Sequence, residues 1–310
     1  MSILKQAHFH NEAAAVARLE AIIWPEGPVC PHCGGTERIT PVKGGRIGLK
    51  RCGQCKAQFT AKVRTVFEDS KVPLHKWFQA AHLLASSKKG ISAHQLHRTL
   101  GVTYKTAWFM AHRLREAMRS GNLGPMGGHG SIVEADETYF GDIPEADRPQ
   151  LKANGRPFFK RRSGPQHKRA ILALVERGGK VRSFHLPSAQ IESVIPIVRD
   201  NIARESRFHT DESRLYSFIG GQFAAHETVK HSDYEYARGD VSTNTVEGYF
   251  SIFKRGMRGI YQHCKEKHLH RYLAEFDFRY NNRSALGIED TARTAAVLRG
   301  IVGKRLTYRT

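Results

Sequence analysis

The chain has 310 residues, with 49 Lys and Arg against 29 Asp and Glu, a formal net charge of +20 and an isoelectric point near 10.0. This length suits about two domains, and the charge is typical of a protein that binds a polyanion, usually nucleic acid, although ribosome-associated and basic membrane-surface proteins share it. Because no apolar stretch reaches the roughly 18 residues of a membrane span and the start lacks a signal-peptide core, we expect a cytoplasmic, nucleoid-associated protein with no membrane partner.

The first 65 residues predict a helix followed by a small metal-binding module. Within residues 1–27, apolar side chains recur at helical spacing over 11–23 before a Pro- and Gly-rich turn. Residues 28–65 contain two Cys-x-x-Cys pairs separated by 18 residues, and these are Cys30, Cys33, Cys52 and Cys55. Four thiolates in this pattern predict a zinc ribbon, in which they hold one structural Zn²⁺ in a closed tetrahedral site.

Residues 66–120 are predicted to form a helical module. Its three helices span about 74–87, 93–100 and 104–119. Ser92 and Thr103 are predicted N-caps, and Gly101 allows the turn of a helix-turn-helix-like arrangement. Several side chains near the start and along one face of the last helix would then contact DNA, namely Tyr104, Lys105, Thr106, His112 and Arg113. A plain three-helix bundle without DNA contacts stays open on this pattern.

A stretch with five glycines, residues 121–130, is predicted to be a linker. Residues 131–310 then predict a mixed α/β sheet domain. Its predicted strands span 131–140, 169–176, 180–186, 206–210 and 226–230. Its predicted helices span 189–203, 212–220, 244–257 and 267–282, followed by an amphipathic segment around 290–302. Segment 143–168 carries seven basic side chains, for which phosphate contact and solvated disorder are both open.

Three acidic residues are the candidate catalytic groups of this domain: Asp136, Asp211 and Glu247. Asp136 and Asp211 end short apolar runs, and Glu247 lies on a predicted helix after 35 further residues. Carboxylates from two strands and one helix can meet at one end of a sheet and hold two Mg²⁺ (or Mn²⁺) ions, which promote phosphodiester chemistry. A solvated cap is the common alternative for any single acid, and Glu137 and Glu212 are the flanking rivals.

The predicted helix around Glu247 has one polar and one apolar stripe. The polar stripe consists of Asn244, Glu247, Ser251, Lys254 and Arg258. The apolar stripe would pack on the sheet, so that Glu247 faces the metal ions and Lys254 reaches a nearby phosphate. Arg255 is the adjacent predicted DNA contact. A charged stripe that merely faces solvent stays open.

These motifs together resemble the DDE-type insertion-sequence transposases with an N-terminal zinc ribbon, the ISXO-like group. The resemblance covers roughly residues 10–285 and rests on CPHC, CGQC, VEADETYFG, HTDES, STNTVEGYFSIFKRG and HLHRYLAEFDFRYNNR. It implies an α/β, RNase H-like catalytic core in which Asp136, Asp211 and Glu247 bind the two Mg²⁺ ions. Lys254 matches the basic residue that follows the acid. Some relatives place Asn near the third position, so Asn244 is an alternative third ligand.

The resemblance also implies a reaction and partners. Water would hydrolyse a phosphodiester at the element end, and the freed 3′-hydroxyl would attack target DNA. Double-stranded DNA, as terminal repeats and target, is the expected partner of a homodimer or higher oligomer. Two alternatives are a structure-selective two-metal nuclease of the same fold and a non-catalytic zinc-ribbon DNA-binding regulator.

Overall fold

The computed structural model describes residues 5–121, 123–142 and 168–307. Apart from Lys168, the basic segment predicted over 143–168 therefore lies outside the described residues. The chain divides into two compact units, one formed by Met1–Ser120 with Asn282–Thr310 and the other by Gly121–Asn281. This division differs from the predicted domain of residues 131–310 at both of its ends.

The first unit begins with helix α1 (Glu12–Ile23) and a three-stranded antiparallel sheet in the order β1-β2-β3. The strands are short, and they are β1 (Ile39–Pro41), β2 (Lys50–Cys52) and β3 (Gln58–Phe59). Cys52 lies at the end of β2, so the sheet itself fixes the position of one predicted zinc ligand. This sheet is the predicted zinc ribbon.

Three further helices follow in the first unit: α2 (Leu74–Ser86), α3 (Ala93–Leu100) and α4 (Tyr104–Met118). Both predicted N-caps are confirmed, because Ser92 accepts a hydrogen bond from the Gln95 N–H at 3.1 Å and Thr103 accepts one from the Thr106 N–H at 3.2 Å. Gly101 ends α3 in the left-handed conformation with φ 58°, which glycine adopts without steric cost. The local signals therefore place the turn between α3 and α4 correctly.

The C-terminal helix α8 (Asp290–Arg299) also belongs to the first unit. Its apolar residues Val297 and Leu298 are buried, and its Thr294 hydroxyl lies 3.0 Å from Nδ1 of His82 on α2. The predicted amphipathic segment is therefore confirmed as a helix, but it completes the helical module. From the sequence, the apolar face of α8 shows that the helix packs on a core, but it does not show whether that core belongs to the first or to the second unit.

The second unit is built on a five-stranded mixed sheet in the order β6-β5-β4-β7-β8. Its strands are β4 (Ile132–Asp142), β5 (Lys168–Glu176), β6 (Val181–Leu186), β7 (Arg207–Asp211) and β8 (Ala225–Val229). Strand β5 pairs antiparallel with β4 and β6, whereas β7 pairs parallel with β4 and β8. The central pair β4–β7 is therefore parallel, and both strands run towards the same edge of the sheet.

Helices cover both faces of this sheet. Helix α5 (Ile191–Asn201) packs on one face, and its Val194 and Val198 share a core with Val133 and Ala135 of β4. Helices α6 (Asn244–Gly256) and α7 (Leu269–Asn281) cover the other face. A two-stranded ribbon of β9 (Ala237–Arg238) and β10 (Val241–Ser242) precedes α6. This mixed α/β arrangement is consistent with the predicted RNase H-like core.

Two details of the second unit differ from the sequence-based predictions. The predicted helix 212–220 consists of turns and a short 3₁₀ segment, Gly220–Gln222. The predicted linker is partly integrated, because Met126 is buried and its N–H donates to the Asn201 carbonyl at 2.8 Å. Gly127 has φ 85°, and a Cβ there would lie 2.3 Å from the Ser206 hydroxyl oxygen. Its glycine thus permits close packing as well as chain flexibility.

Candidate functional site

The four predicted zinc ligands are brought together. All four sulfur atoms lie within 4.8 Å of one another, with 3.7 Å between Sγ of Cys30 and Cys55 and 3.7 Å between Sγ of Cys33 and Cys52. Zinc–sulfur bonds of about 2.3 Å in a regular tetrahedron require sulfur separations of about 3.8 Å. The donor set fits one structural Zn²⁺.

The predicted DNA contacts on α4 fall into two groups. At its N-terminus, Tyr104 and Lys105 are exposed and Thr106 is half-buried. His112 and Arg113, in contrast, are buried, and the prediction that they are available to DNA is wrong. Arg113 donates from Nη1 to the carbonyls of Val66 and Glu68, at 2.9 and 2.8 Å. Arg113 therefore binds the segment before α2. The prediction failed because helix periodicity alone does not show that this segment covers that face of α4.

The first two acids lie on neighbouring parallel strands. In the pairing of β4 with β7, Glu134 is opposite His209 in the last recorded pair. Asp136 and Asp211 each lie two residues beyond that pair, and the negative charge of Asp211 helps to raise the pKa of Asp136. Val133 and Ala135 belong to the core beneath α5, so strand alternation directs Glu134 and Asp136 towards the α6 side. Glu137 faces the opposite side, as predicted, where it accepts a hydrogen bond from the buried Tyr216 hydroxyl.

Negative charge accumulates around Asp136. Burial raises the pKa of Asp136 to about 7. After burial, the negative charges of Glu137, Asp211 and Glu247 contribute to this increase in pKa, so all three act on Asp136. Burial likewise raises the pKa of Glu137 to about 7. Several carboxylates held together in this way favour a bound cation, and their oxygen atoms suit Mg²⁺ or Mn²⁺.

Glu247 completes this group from α6. It lies on the first turn of the helix and is about half exposed, and together with Asp136 it lines a cavity of about 700 Å³. Across residues 5–121, 123–142 and 168–307, the four cysteines are the one group of three or more candidate metal ligands whose donor atoms all lie within 4.8 Å of each other. The three acids are spaced more widely.

Basic side chains also line this cavity. Lys254, Arg255 and Arg258 line it together with Gly259. Burial lowers the pKa of Lys254, and the nearby negative charge of Asp136 opposes this shift. Helix α6 continues beyond Gly256 as a five-residue π-helical segment, Met257–Tyr261, which carries Arg258. A cavity lined by both carboxylates and cations has the side chains to bind a phosphate group.

Two residues beside Glu247 were not anticipated from the sequence. The Thr243 hydroxyl donates to Oε1 of Glu247 at 3.0 Å, and Nε2 of His231 lies 3.4 Å from the same oxygen. Asn244, the alternative third ligand, is exposed and is absent from the cavity lining. Thr243 lies directly before the helix that carries Glu247, which is a usable local signal. His231 approaches from the loop after β8 and has no such signal.

Comparison with known families explains this combination of modules. Residues 127–281 match the model of the ISXO2-like transposase domain, and residues 10–58 match that of the transposase zinc-ribbon domain. The chain belongs to the ISXO2-like transposase family. The predicted resemblance is thereby confirmed, together with an insertion-sequence origin and the zinc ribbon. The match to the ISXO2-like domain ends at residue 281, where the second compact unit also ends.

Individual proteins similar to this ISXO2-like chain agree with that assignment. An uncharacterized protein in transposable element ISH50 of Halobacterium salinarum is 30% identical over 283 residues, covering 87% of this chain and 91% of that protein. An uncharacterized transposase-like protein of Haemophilus influenzae is 25% identical over 103 residues, covering 33% of this chain and 82% of that protein. Both names refer to transposition.

One solved structure is also similar to this ISXO2-like chain. It is a cryo-EM structure of a simian T-cell lymphotropic virus intasome in complex with PP2A regulatory subunit B56 gamma. The match covers 59% of this chain and 63% of that chain, at 14% identity and a TM-score of 0.27. With a TM-score of 0.27, this match is not evidence for a shared function. Within the described part of the chain, no helix combines the length and apolar character needed to cross a membrane.

Proposed function

We propose that this protein is the DNA transposase of an insertion sequence, which cuts the ends of its element and joins their 3′-hydroxyls to target DNA. The observation that carries the proposal is the meeting of acids on β4 and β7. Asp136 and Asp211 each lie two residues beyond the last pair of the parallel strands β4 and β7, and the charges of Asp211 and Glu247 both act on Asp136. Family membership supports a transposase role.

In this proposal Asp136, Asp211 and Glu247 hold two Mg²⁺ or Mn²⁺ ions. When bound, the ions would activate the attacking oxygen and stabilise the leaving oxygen of the phosphodiester. The negative charges of Asp211 and Glu247 that act on Asp136 support such binding, because bound cations would offset the repulsion between these carboxylates. Glu247 is the third ligand in preference to Asn244, since it lines the cavity with Asp136.

The basic side chains of the cavity would bind the DNA backbone beside the cleaved bond. Lys254 is half-buried and Arg255 is exposed, and both line the cavity that contains Asp136. Lys254 would bind a phosphate and orient the strand in both the hydrolysis and the joining step. Neither step needs a covalent protein–DNA intermediate, because water and the 3′-hydroxyl are the successive nucleophiles.

The first unit would bind the terminal repeats of the element. The exposed start of α4, with Tyr104, Lys105 and the half-buried Thr106, is the proposed contact to duplex DNA. The zinc ribbon would contribute further phosphate contacts, and the net charge of +20 predicts strongly salt-dependent affinity. Bringing two element ends together requires at least a homodimer, and the DNA partner implies a cytoplasmic, nucleoid-associated protein.

A cleavage-and-joining assay tests this function. Labelled duplexes that carry candidate element ends are incubated with supercoiled plasmid, with and without Mg²⁺. The proposal expects 3′-end cleavage and joined products only with the metal, and neither product with Asp211→Asn. Cleavage of branched DNA without joining would favour a structure-selective nuclease. Tight, sequence-specific binding without any cleavage would favour a DNA-binding regulator.

A further inference from the structure

Strand β4 presents a second acid, Glu134, on the same face as Asp136. Unlike Asp136, its side chain is fully buried, with no exposed surface. The two residues are one strand repeat apart, so any group bound to Glu134 is held at a fixed distance from Asp136. A buried carboxylate is costly unless its oxygens are fully hydrogen-bonded.

Both oxygens of Glu134 bind the start of α6. Oε2 accepts hydrogen bonds from the backbone N–H groups of Thr245 and Val246, at 2.8 and 3.0 Å. Oε1 accepts one from the Thr245 hydroxyl at 2.8 Å. The first N–H groups of a helix lack partners within it and carry its partial positive charge, so a carboxylate is a favourable cap there. Glu247 follows Val246 directly in the chain.

The residue that would normally cap α6 does not do so. Thr243 occupies the N-cap position, yet its side chain makes no capping hydrogen bond, and its hydroxyl donates to Glu247 instead. The cap is thus supplied from β4, 111 residues earlier than Thr245. As a result, the position of the α6 N-terminus depends on a strand that itself carries a candidate catalytic acid.

Arg177 also binds Glu134 and contacts the chain just before α6. It donates to Oε1 of Glu134 from Nε at 3.0 Å and from Nη2 at 2.7 Å. It also donates from Nη1 to the Asp240 carbonyl at 2.6 Å and from Nη2 to the Ser242 hydroxyl at 3.1 Å. The charge of the buried Glu134 is thereby balanced, and the residues just before Thr243 are held by the same guanidinium.

We propose that Glu134 is a positioning residue of the active site, which sets the separation of Glu247 from Asp136. It acts through the N-terminus of α6 and touches neither substrate nor metal. This inference rests on the proposed function, in which those two acids bind the same pair of ions. Misplacement of reacting groups by about 1 Å costs about 10²-fold in rate, so loss of this cap should impair catalysis more than folding.

The test compares Glu134→Ala with two milder variants and a control. Glu134→Gln keeps one acceptor oxygen but loses the charge, and Thr245→Val removes one hydroxyl donor while leaving both backbone N–H groups. Glu192→Ala removes an exposed acid from the first turn of α5 and serves as the control. We expect cleavage to fall about 10²-fold in Glu134→Ala and less in the milder variants. The Kd for DNA should equal that of the parent protein in every variant. The control Glu192→Ala should also cleave DNA at the parent rate.

A double-mutant cycle with Glu247→Gln separates positioning from general stability. Mn²⁺ affinity is measured by calorimetry without DNA. It should be lower in Glu134→Ala than in the parent protein. Once Glu247 is replaced, the Glu134 substitution should have no further effect, so Glu134→Ala/Glu247→Gln and Glu247→Gln should have the same Mn²⁺ affinity. The effect on Tm should be equal in both backgrounds. Equal losses of Mn²⁺ affinity in both backgrounds, or parent-level affinity in Glu134→Ala, would overturn the proposal. A parent protein that binds Mn²⁺ but never cleaves DNA would contradict only the proposed function.

Discussion

The hydroxyl of Thr243 donates a 3.0 Å hydrogen bond to Oε1 of Glu247, although Thr243 stands at the N-cap position of α6. The local cap is thus diverted to a candidate metal ligand, and the helix is capped by Glu134 instead. The orientation of Glu247 therefore depends on one side chain next to it in sequence and on another from a distant strand.

Removing the Thr243 hydroxyl should slow catalysis without unfolding the protein. Thr243→Val keeps the shape of this buried side chain but removes a hydrogen bond to a charged group, worth about 1.5–3 kcal/mol. We expect a kcat for cleavage lower by about tenfold or more, with DNA affinity unchanged. Ser217→Ala, which alters an exposed hydroxyl in the same unit, is the control. A kcat equal to that of the parent would show that the contact has no role in the reaction.

The acids themselves should be essential. Asp136→Asn and Asp211→Asn keep the side-chain size but remove charges from the proposed metal site, so cleavage should fall by about 10³-fold or more. Glu212→Gln is the matched control, because Glu212 neighbours Asp211 but is exposed and hydrogen-bonded to Ser232. The readout is the rate of 3′-end cleavage with Mg²⁺. If Glu212→Gln were the inactive variant, the assignment of the second acid would be wrong.

Substitutions at two basic residues of α4 should have different effects, one on DNA affinity and the other on the free energy of unfolding. Lys105 is exposed, so Lys105→Ala should weaken DNA binding, reduce the salt slope by about one unit and leave Tm unchanged. Arg113 is buried against two carbonyls, so Arg113→Ala should lower the free energy of unfolding by about 2–4 kcal/mol. Fluorescence anisotropy at several salt concentrations and urea unfolding measure the two effects. The reverse pattern would restore Arg113 as a DNA contact.

The zinc ribbon should bind one zinc ion per chain. Cys52→Ser removes a ligand from the tetrahedral set and should abolish stoichiometric zinc, because the remaining thiolates leave the site open. Cys264→Ser is the matched control, since Cys264 lies in the other unit, and it should keep its zinc. Metal analysis after gel filtration gives the stoichiometry. Full zinc content in Cys52→Ser would contradict the four-cysteine site.

A buried carboxyl on α7 should make stability depend on pH. Burial raises the pKa of Asp277 to about 7, despite hydrogen bonds from the Tyr249 hydroxyl and from Ser183. The folded chain thus keeps a proton that the unfolded chain releases above about pH 4. Stability from this group is therefore complete below about pH 4 and is lost as pH rises towards 7, at roughly 1.4 kcal/mol per pH unit.

Asp277→Asn should flatten this dependence. The amide cannot ionise, so the variant should lose less of its free energy of unfolding than the parent between pH 5 and 7. Urea unfolding followed by circular dichroism at several pH values provides the comparison, and the exposed Asp200→Asn should retain the parental slope. Parallel pH curves for the parent and Asp277→Asn would show that Asp277 is already ionised at pH 5 in the folded state.

Local features of this chain were predictable because neighbouring residues determine them. The Ser92 and Thr103 caps, the Gly101 turn and the paired cysteines each depend on hydrogen bonds or ligands only a few positions apart. The alternation of Asp136 and Glu137 between two faces follows from the period of a strand. The sequence by itself therefore determined the zinc ribbon, the helix-turn-helix-like pair and the identity of the acid-bearing elements.

Tertiary structure decided which faces are covered and which residues meet. Arg113 and His112 have the sequence context of an exposed helix face, yet the described structure buries both. Helix α8 joins the first unit, and Glu134 caps α6, through contacts between segments more than 100 residues apart. Because hydrophobic burial is non-directional, an apolar stripe predicts that a surface is buried but does not identify the segment that packs on it. For that reason, the burial of Arg113 and the capping of α6 by Glu134 were decided only by the packed fold.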